Sequence, residues 1–261
     1  MTAVSPARRA RHRVRTHVSE WPALYLPIAR RRYPGPSPEV ISSDTELVID
    51  GYTRCASTFA VYALQLAQPK PVRLAHHLHA PAQLLQAARN GVPALAVIRE
   101  PQGAILSQLI REPWVALPDA LVAYARFYER LLPYRHRFVI ADFEQVTKDF
   151  GTVIRNVNVR FGTDFAEFVP TEPNVQRCFE LISYRDSLSA TLLGFESGLV
   201  TWEELRRELP VLERRRASAE PAAWIPSQER ECAKAALREQ WLRADLERLR
   251  QRAERAYRTF R

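Results

Sequence analysis

The stretch Leu47-Val-Ile-Asp-Gly51-Tyr52-Thr53-Arg54-Cys55-Ala56-Ser57-Thr58-Phe59 constrains this chain more than any other part of it. Leu47 to Asp50 is the short, apolar, β-branched kind of run that forms a strand buried on both faces, and it stops at a glycine. From Ser57 to Gln68 the apolar residues Phe59, Tyr62, Ala63 and Leu66 recur at helical spacing. Strand, tight loop and helix N-terminus bring backbone N–H groups and the positive end of a helix dipole to one point, a geometry that holds phosphate or sulfate. The nucleotide-hydrolase pattern G-x-x-x-x-G-K-[ST] would need Gly at 56 and Lys at 57. Ala56 and Ser57 stand there instead, and the loop's one cation is Arg54.

Beyond this stretch, strand-like and helix-like runs keep alternating. Val72 to Ala75 reads as a second strand, and Pro81 to Asn90 as a helix that begins on proline and ends before Gly91. Pro93 to Ile98 is the next strand, Arg99-Glu100-Pro101 turns, and Gly103 to Arg111 resumes a helix. A longer helix over 117–132 leads to a strand from Arg137 to Ala141, and a helix from Asp149 to Phe161 closes at Gly162. Such alternation implies right-handed crossovers and a central, mostly parallel sheet flanked by helices on both faces, a three-layer α/β/α architecture. Ligands of these sheets bind at the carboxyl ends of the strands, so the polar clusters at 51–58, 76–79 and 99–107 are expected to converge. From Ser227 onward the chain reads as a long, charged C-terminal helix. Its Leu242, Leu246, Leu249, Ala253, Ala256 and Phe260 form a heptad-like seam that either packs on its own domain or joins two copies into a homodimer.

With 261 residues, 46% of them hydrophobic, the chain can bury one large core. We expect a single α/β domain over 44–261, including a helical region from about 180, preceded by a basic, Pro/Arg-rich arm or irregular lead-in over 1–43. The formal charge of +9 favours anionic ligands. All but three of the 38 basic residues are arginine, and they are scattered without regular aromatic interleaving, so nucleic acid is not the expected partner. Cys55, Cys178 and Cys232 are too widely spaced for a disulfide framework or a zinc site. No apolar run of signal-peptide or membrane-spanning length follows the basic N-terminus, so a cytoplasmic protein without a membrane span is expected.

Taken together, Gly51-Tyr52-Thr53-Arg54-Cys55-Ala56-Ser57-Thr58 and Arg99-Glu100-Pro101 with Ser107 resemble the two nucleotide-binding signatures of the sulfotransferases that use 3′-phosphoadenosine 5′-phosphosulfate (PAPS). In that family the loop after the opening strand resembles G-[YF]-P-[RK]-S-G-T-[TS]. The other signature has the form R-[DN]-P with a serine eight positions after the arginine, the separation of Arg99 and Ser107. His79-Ala80-Pro81 is similar to the family segment in which a histidine shortly before a proline is the catalytic base, and Phe143-Glu144-Gln145-Val146 to its Tyr-Glu-Asp-Leu segment. The resemblance spans about residues 44–165 and implies a divergent, bacterial-type member with the family's P-loop-like fold. It implies PAPS as donor, adenosine 3′,5′-bisphosphate (PAP) as product, and no metal. Thr53 replaces a proline, and Cys55-Ala56 replaces Ser-Gly, where alanine takes a left-handed conformation less freely than glycine.

The chemistry can be read beside the resemblance. A transferring sulfuryl group carries one negative charge, so backbone dipoles and one or two cations can hold it where a triphosphate recruits Mg²⁺. Ser57 and Thr58, which could also simply cap the helix, would receive the 5′-phosphate, and Arg54 would offset charge on the leaving oxygen. By the resemblance Arg99 and Ser107 hold the 3′-phosphate, a task for which an arginine fork is well shaped. The acceptor, a hydroxyl or amine of a small molecule or carbohydrate, must lose a proton, and His79 is the candidate base. His76 and His77 compete with it, and strand alternation would put His77 on the same side as His79. Arg214-Arg215-Arg216 either grips the 3′-phosphate or is a solvated charge run. Residues 112–135 and 180–225 are expected to shape the acceptor pocket, with Trp114, Tyr124, Phe127, Trp202 and Trp224 lining it or filling the core. Two other readings stay open. One is a P-loop kinase or other nucleotide phosphotransferase using ATP, with Asp50 or Asp142 holding Mg²⁺; the other is a non-catalytic anion- or glycan-binding protein on the same fold.

Overall fold

The structure, a computed structural model, describes residues 5–32, 39–217 and 228–261. Two helices, α1 (Pro6–Val18) and α2 (Pro22–Arg32), precede strand β1 (Leu47–Gly51). Helix α3 (Ser57–Ala67), strand β2 (Leu74–His76), helix α4 (Pro81–Asn90), strand β3 (Ala94–Ile98) and helix α5 (Pro101–Arg111) follow in strict alternation. Helix α6 (Leu117–Leu131) leads to strand β4 (Val139–Asp142), α7 (Phe143–Lys148) and α8 (Phe150–Phe161). The remainder is helical: α9 (Glu172–Tyr184), α10 (Ala190–Glu196), α11 (Trp202–Ala217), α12 (Gln228–Trp241) and α13 (Glu247–Phe260).

The four strands form one parallel sheet in the order β2-β1-β3-β4. Every residue of β1 and β3 is buried, as two helical layers require of a central parallel strand. Helix α3, with α7 and α9 against it, covers one face, while α4 and α6, backed by α13, cover the other. Because β1 and β2 step one way from the centre and β3 and β4 the other, the loops after β1 and β3 diverge and leave a crevice between them. Gly51 is required at its position: an added Cβ would lie 2.1 Å from the Val97 carbonyl oxygen of β3. Helix α4 starts on Pro81 and ends at Gly91 with φ +70°, and α8 ends at Gly162 with φ +68°, both as the sequence indicates.

The N-terminal segment is not the irregular lead-in expected. Pro6 and Pro22 occupy first helical turns, where the missing N–H costs nothing. Arg9 and Arg13 each reach the Asp119 carboxylate of α6 at 2.9 Å, and Glu20 takes both nitrogens of the Arg126 fork at 2.6 and 2.9 Å. The C-terminal helix is also modified. A 3₁₀ turn over Ala244–Leu246 separates α12 from α13, leaving Leu242 exposed while Leu246, Ala253, Ala256 and Phe260 are buried. The seam is covered by α6, with Phe260 against Tyr128 and Arg252 on Glu129. No helix among the described residues is long and apolar enough to cross a membrane.

The Gly51 contact gives a direct test. Gly51→Ala must push β1 from β3, and we expect the urea midpoint to fall by the equivalent of about 2–3 kcal/mol with an unchanged denaturant slope.

Candidate functional site

The β1–α3 loop closes through two left-handed residues, Arg54 with φ +68° and Ala56 with φ +73°. Ala56 is the N-cap of α3, and no side chain caps that end. The first α-helical bond runs from the Ala60 N–H to the Ala56 carbonyl, so the preceding first-turn N–H groups have no intrahelical acceptor. An alanine held left-handed, at a cost of about 1–2 kcal/mol, marks where the loop's shape outranks its comfort.

A cavity of about 300 Å³ opens on this loop. Arg54, Ala56, Ser57, Thr58, Arg99 and Ser107 all line it, with Thr53 and His79 at its edge toward the β2 loop. Arg54 Nε donates to Ser107 Oγ at 3.0 Å, and Arg99 donates to the Arg54 carbonyl at 3.4 Å while its guanidinium lies 3.9 Å from the centre of the Phe143 ring. The two loop signatures, 45 residues apart at Arg54 and Arg99, therefore meet in one cationic cluster. Arg54 joins the Arg99 and Ser107 side of the cavity, a closer association than the separate roles read from sequence. Gly51, Tyr52 and Cys55 do not line this cavity. They shape the loop from behind: Tyr52 donates its hydroxyl to Gln108 in the core, and Cys55 lies against the Tyr128 hydroxyl at 3.5 Å. Burial pushes the Cys55 thiol up to about 12, which leaves it unreactive.

His79 is held by the end of β1. Its backbone N–H donates to Asp50 Oδ1 at 3.1 Å and its ring Nδ1 lies 2.9 Å from the Gly51 carbonyl. A carbonyl can only accept, so Nδ1 carries the hydrogen and Nε2 keeps its lone pair. Burial holds the His79 pKa down to about 4, opposed by the Gly51 bond and assisted by Arg15, Arg185 and Arg54. The ring is therefore neutral at pH 7. His77 differs from the extended alternation expected, since both His77 (φ +59°) and His79 (φ +48°) are left-handed. His77 Nε2 meets Thr58 Oγ1 at 2.9 Å and its Nδ1 meets His76 Nδ1, so both ring nitrogens are engaged. The nearby Glu196 is held by Arg185 at 2.8 and 3.3 Å.

Neither carboxylate that a Mg²⁺-dependent reading would recruit faces the cavity. Asp50 is fully buried, pushed up to about 7 by that burial, and accepts the N–H groups of Gly51 and His79. Asp142 caps α7 in a reciprocal box with Gln145 and pairs with Arg261 at 2.7 Å. The late basic contribution comes from α12, where Lys234, paired with Glu231, lines the cavity. Arg214 and Arg215 are not among its lining residues, and the Arg216 side chain, like Trp224, lies outside the described residues. The sequence offered one cue to Lys234: it is one of only three lysines. Tyr124 and Phe127 are core, Trp202 is half-buried against Phe195, and Trp114 is exposed.

A second cavity, of about 280 Å³, lies across His79 from the first. The two share Thr53 and His79 as lining residues.

The fold and site define a parallel α/β protein in which two cavities meet at a neutral histidine, one of them opening on the uncapped N-terminus of α3. No family model matches the chain, and no curated protein matches its sequence. Among solved structures it is similar to mouse sulfotransferase SULT7A1 complexed with PAP, at 12% identity and a TM-score of 0.36, over 75% of this chain and 90% of that one. A likeness of this size carries no residue correspondence.

Two measurements check the site. Ala56→Gly relieves the left-handed alanine, and we expect a gain of about 1 kcal/mol in the urea-derived stability. By proton NMR, the His79 ring titrates near pH 4, well below 6.5, and moves upward when an anion fills the neighbouring cavity, because an added negative charge favours the imidazolium.

Proposed function

We propose that the protein transfers a sulfuryl group from PAPS to a hydroxyl or amine of a small-molecule or carbohydrate acceptor in the cytoplasm. The observation that carries this reading is that Arg54, Ser57, Thr58, Arg99, Ser107 and His79 line one cavity at the carboxyl edge of the sheet. The uncapped start of α3 offers N–H groups and hydroxyls to the 5′-phosphate, and Arg99 with Ser107 suits the 3′-phosphate. Arg54, with its Nε on Ser107, supplies positive charge beside the oxygen that gains it as the S–O bond breaks. Phe143, Phe179 and Ile182 give the cavity an apolar side for the adenine ring.

In the transfer the acceptor oxygen forms a bond to sulfur while the bond from sulfur to the phosphate oxygen breaks, and that electron pair leaves with PAP. His79 Nε2 takes the acceptor's proton and later releases it to water. Holding both reactants across one histidine provides much of the acceleration through positioning.

Titration with PAP in the presence of EDTA, and separately with ATP and Mg²⁺, tests the donor. We expect PAP to bind at about micromolar Kd without metal, near 8 kcal/mol of binding free energy. A clear preference for ATP with Mg²⁺ would overturn the reading in favour of a phosphotransferase using Lys234 and Glu231. Arg99→Ala removes a charge-assisted contact and weakens PAP about 10- to 100-fold. Arg54→Ala instead lowers kcat by about 10²–10³ with a smaller effect on PAP affinity; the reverse pattern would place Arg54 on the 3′-phosphate.

A further inference from the structure

Helix α2 is apolar on the side turned away from the domain as well as on the side that packs on it. Pro22-Ala23-Leu24-Tyr25-Leu26-Pro27-Ile28-Ala29 carries no charge. Pro22, Leu26 and Ala29 are buried where α2 packs on α4, whereas Trp21, Leu24 and Ile28 are 53%, 57% and 55% exposed. Trp21 belongs to the helical path, since its carbonyl accepts the Tyr25 N–H at 2.9 Å, and the spacing 21, 24, 28 puts the three large side chains on one face. Ala23 and Pro27 lie exposed among them. A single exposed apolar residue needs no partner, but adjoining ones of this size mark a surface that something covers. A helix apolar all round is one that is covered all round.

The charge around this face names the kind of cover. Over residues 5–32 the only carboxylate is Glu20, and both nitrogens of Arg126 already hold it. Helix α4, on which α2 packs, has no acidic residue. Arg31, just beyond the apolar run, and Arg8 and Arg11 of α1 are exposed and make no ion pair with a described residue. The Arg130 guanidinium lies 4.8 Å from the centre of the Trp21 ring.

We propose that α2 seats the protein on the surface of an anionic phospholipid bilayer. Trp21, Leu24 and Ile28 enter the boundary between headgroups and acyl chains, and the neighbouring arginines meet the phosphates. Tryptophan suits that boundary because its ring is apolar and its N–H is polar. An arginine stem lies along apolar surface while its guanidinium reaches outward. A second copy is disfavoured as the cover, because it would bring two arginine-rich faces together. The attachment is peripheral, since α2 has 11 residues and a span needs about 20. Tyr25 and Arg32 of α2 also line the second cavity, so docking holds that cavity about one helix diameter, roughly 10 Å, from the lipid. This inference is independent of the donor reading.

Co-sedimentation of the full chain with vesicles tests it, using phosphatidylcholine alone and phosphatidylcholine with about 30 mol% phosphatidylglycerol at roughly 0.1 M NaCl. We expect at least about tenfold stronger binding to the anionic vesicles, weakened as salt rises. Arg31→Glu should lower that binding about tenfold, and Leu24→Ser combined with Ile28→Ser at least as much, each with the urea midpoint of the wild type. Brominated lipid in the anionic vesicles should quench the tryptophan emission of the wild type more than that of Trp21→Phe. Equal binding to the two kinds of vesicle, binding to neither, or anionic binding left intact in the Leu24 and Ile28 double variant overturns the proposal. A dimer in solution that the same double variant makes monomeric, with no vesicle binding by the wild type, assigns the face to a second copy instead. PAP affinity read on the same variants stays at the wild-type value, so these outcomes are separate from those that test the donor.

Discussion

The close approach of β1 to β3 at Gly51 fixes where both functional loops begin. With no Cβ at that position, the end of β1 sits against the Val97 carbonyl. The Asp50 carboxylate then accepts the Gly51 and His79 N–H groups, while the Gly51 carbonyl receives the His79 ring. One buried carboxylate and one peptide unit thus tie the loop after β1 to the histidine after β2. A buried acid with this many donors is stable only while they remain in place, so the arrangement is cooperative by construction. The price is the raised Asp50 pKa.

From that anchor the site follows in short steps. The loop after β1 has few residues in which to turn into α3, and it does so through left-handed Arg54 and Ala56. The turn leaves α3 uncapped and carries Arg54 across to Ser107 of α5. Arg99, at the start of the diverging β3 loop, closes the same cluster from the other side. The two cavities meet at Thr53 and His79, the residues nearest the anchor.

Much of this was legible in the sequence where burial or punctuation left a local mark. β1 and β3 are apolar throughout because helices cover both faces, and Pro81 and Gly91 bracket α4 at both ends. Arg54, Arg99, Ser107 and His79 were legible as members of one cluster because the strands that precede them are adjacent in the sheet. Other features had no local mark. Pro6 and Pro22 read as breakers in an arginine-rich segment, although a proline in the first turn is a helix start. The left-handed backbone at His77 and His79 accompanies contacts to Thr58 and Asp50, distant in sequence, and alternation cannot show that. Lys234 reaches the cavity from a helix about 130 residues beyond Arg99, and the second cavity exists only once α1 and α2 dock on the domain.

The central claim is that His79, oriented by the end of β1 and kept neutral by burial, accepts the proton in sulfuryl transfer. Its most direct test is release of labelled sulfate from [³⁵S]PAPS with water in the acceptor position, measured for the wild type and for His79→Gln alongside the PAP affinity of each. The account predicts release above the buffer rate for the wild type and release at the buffer rate for His79→Gln, with PAP affinities within about twofold of each other. Equal release by both proteins, or a wild type that binds PAPS and leaves it intact, would contradict it.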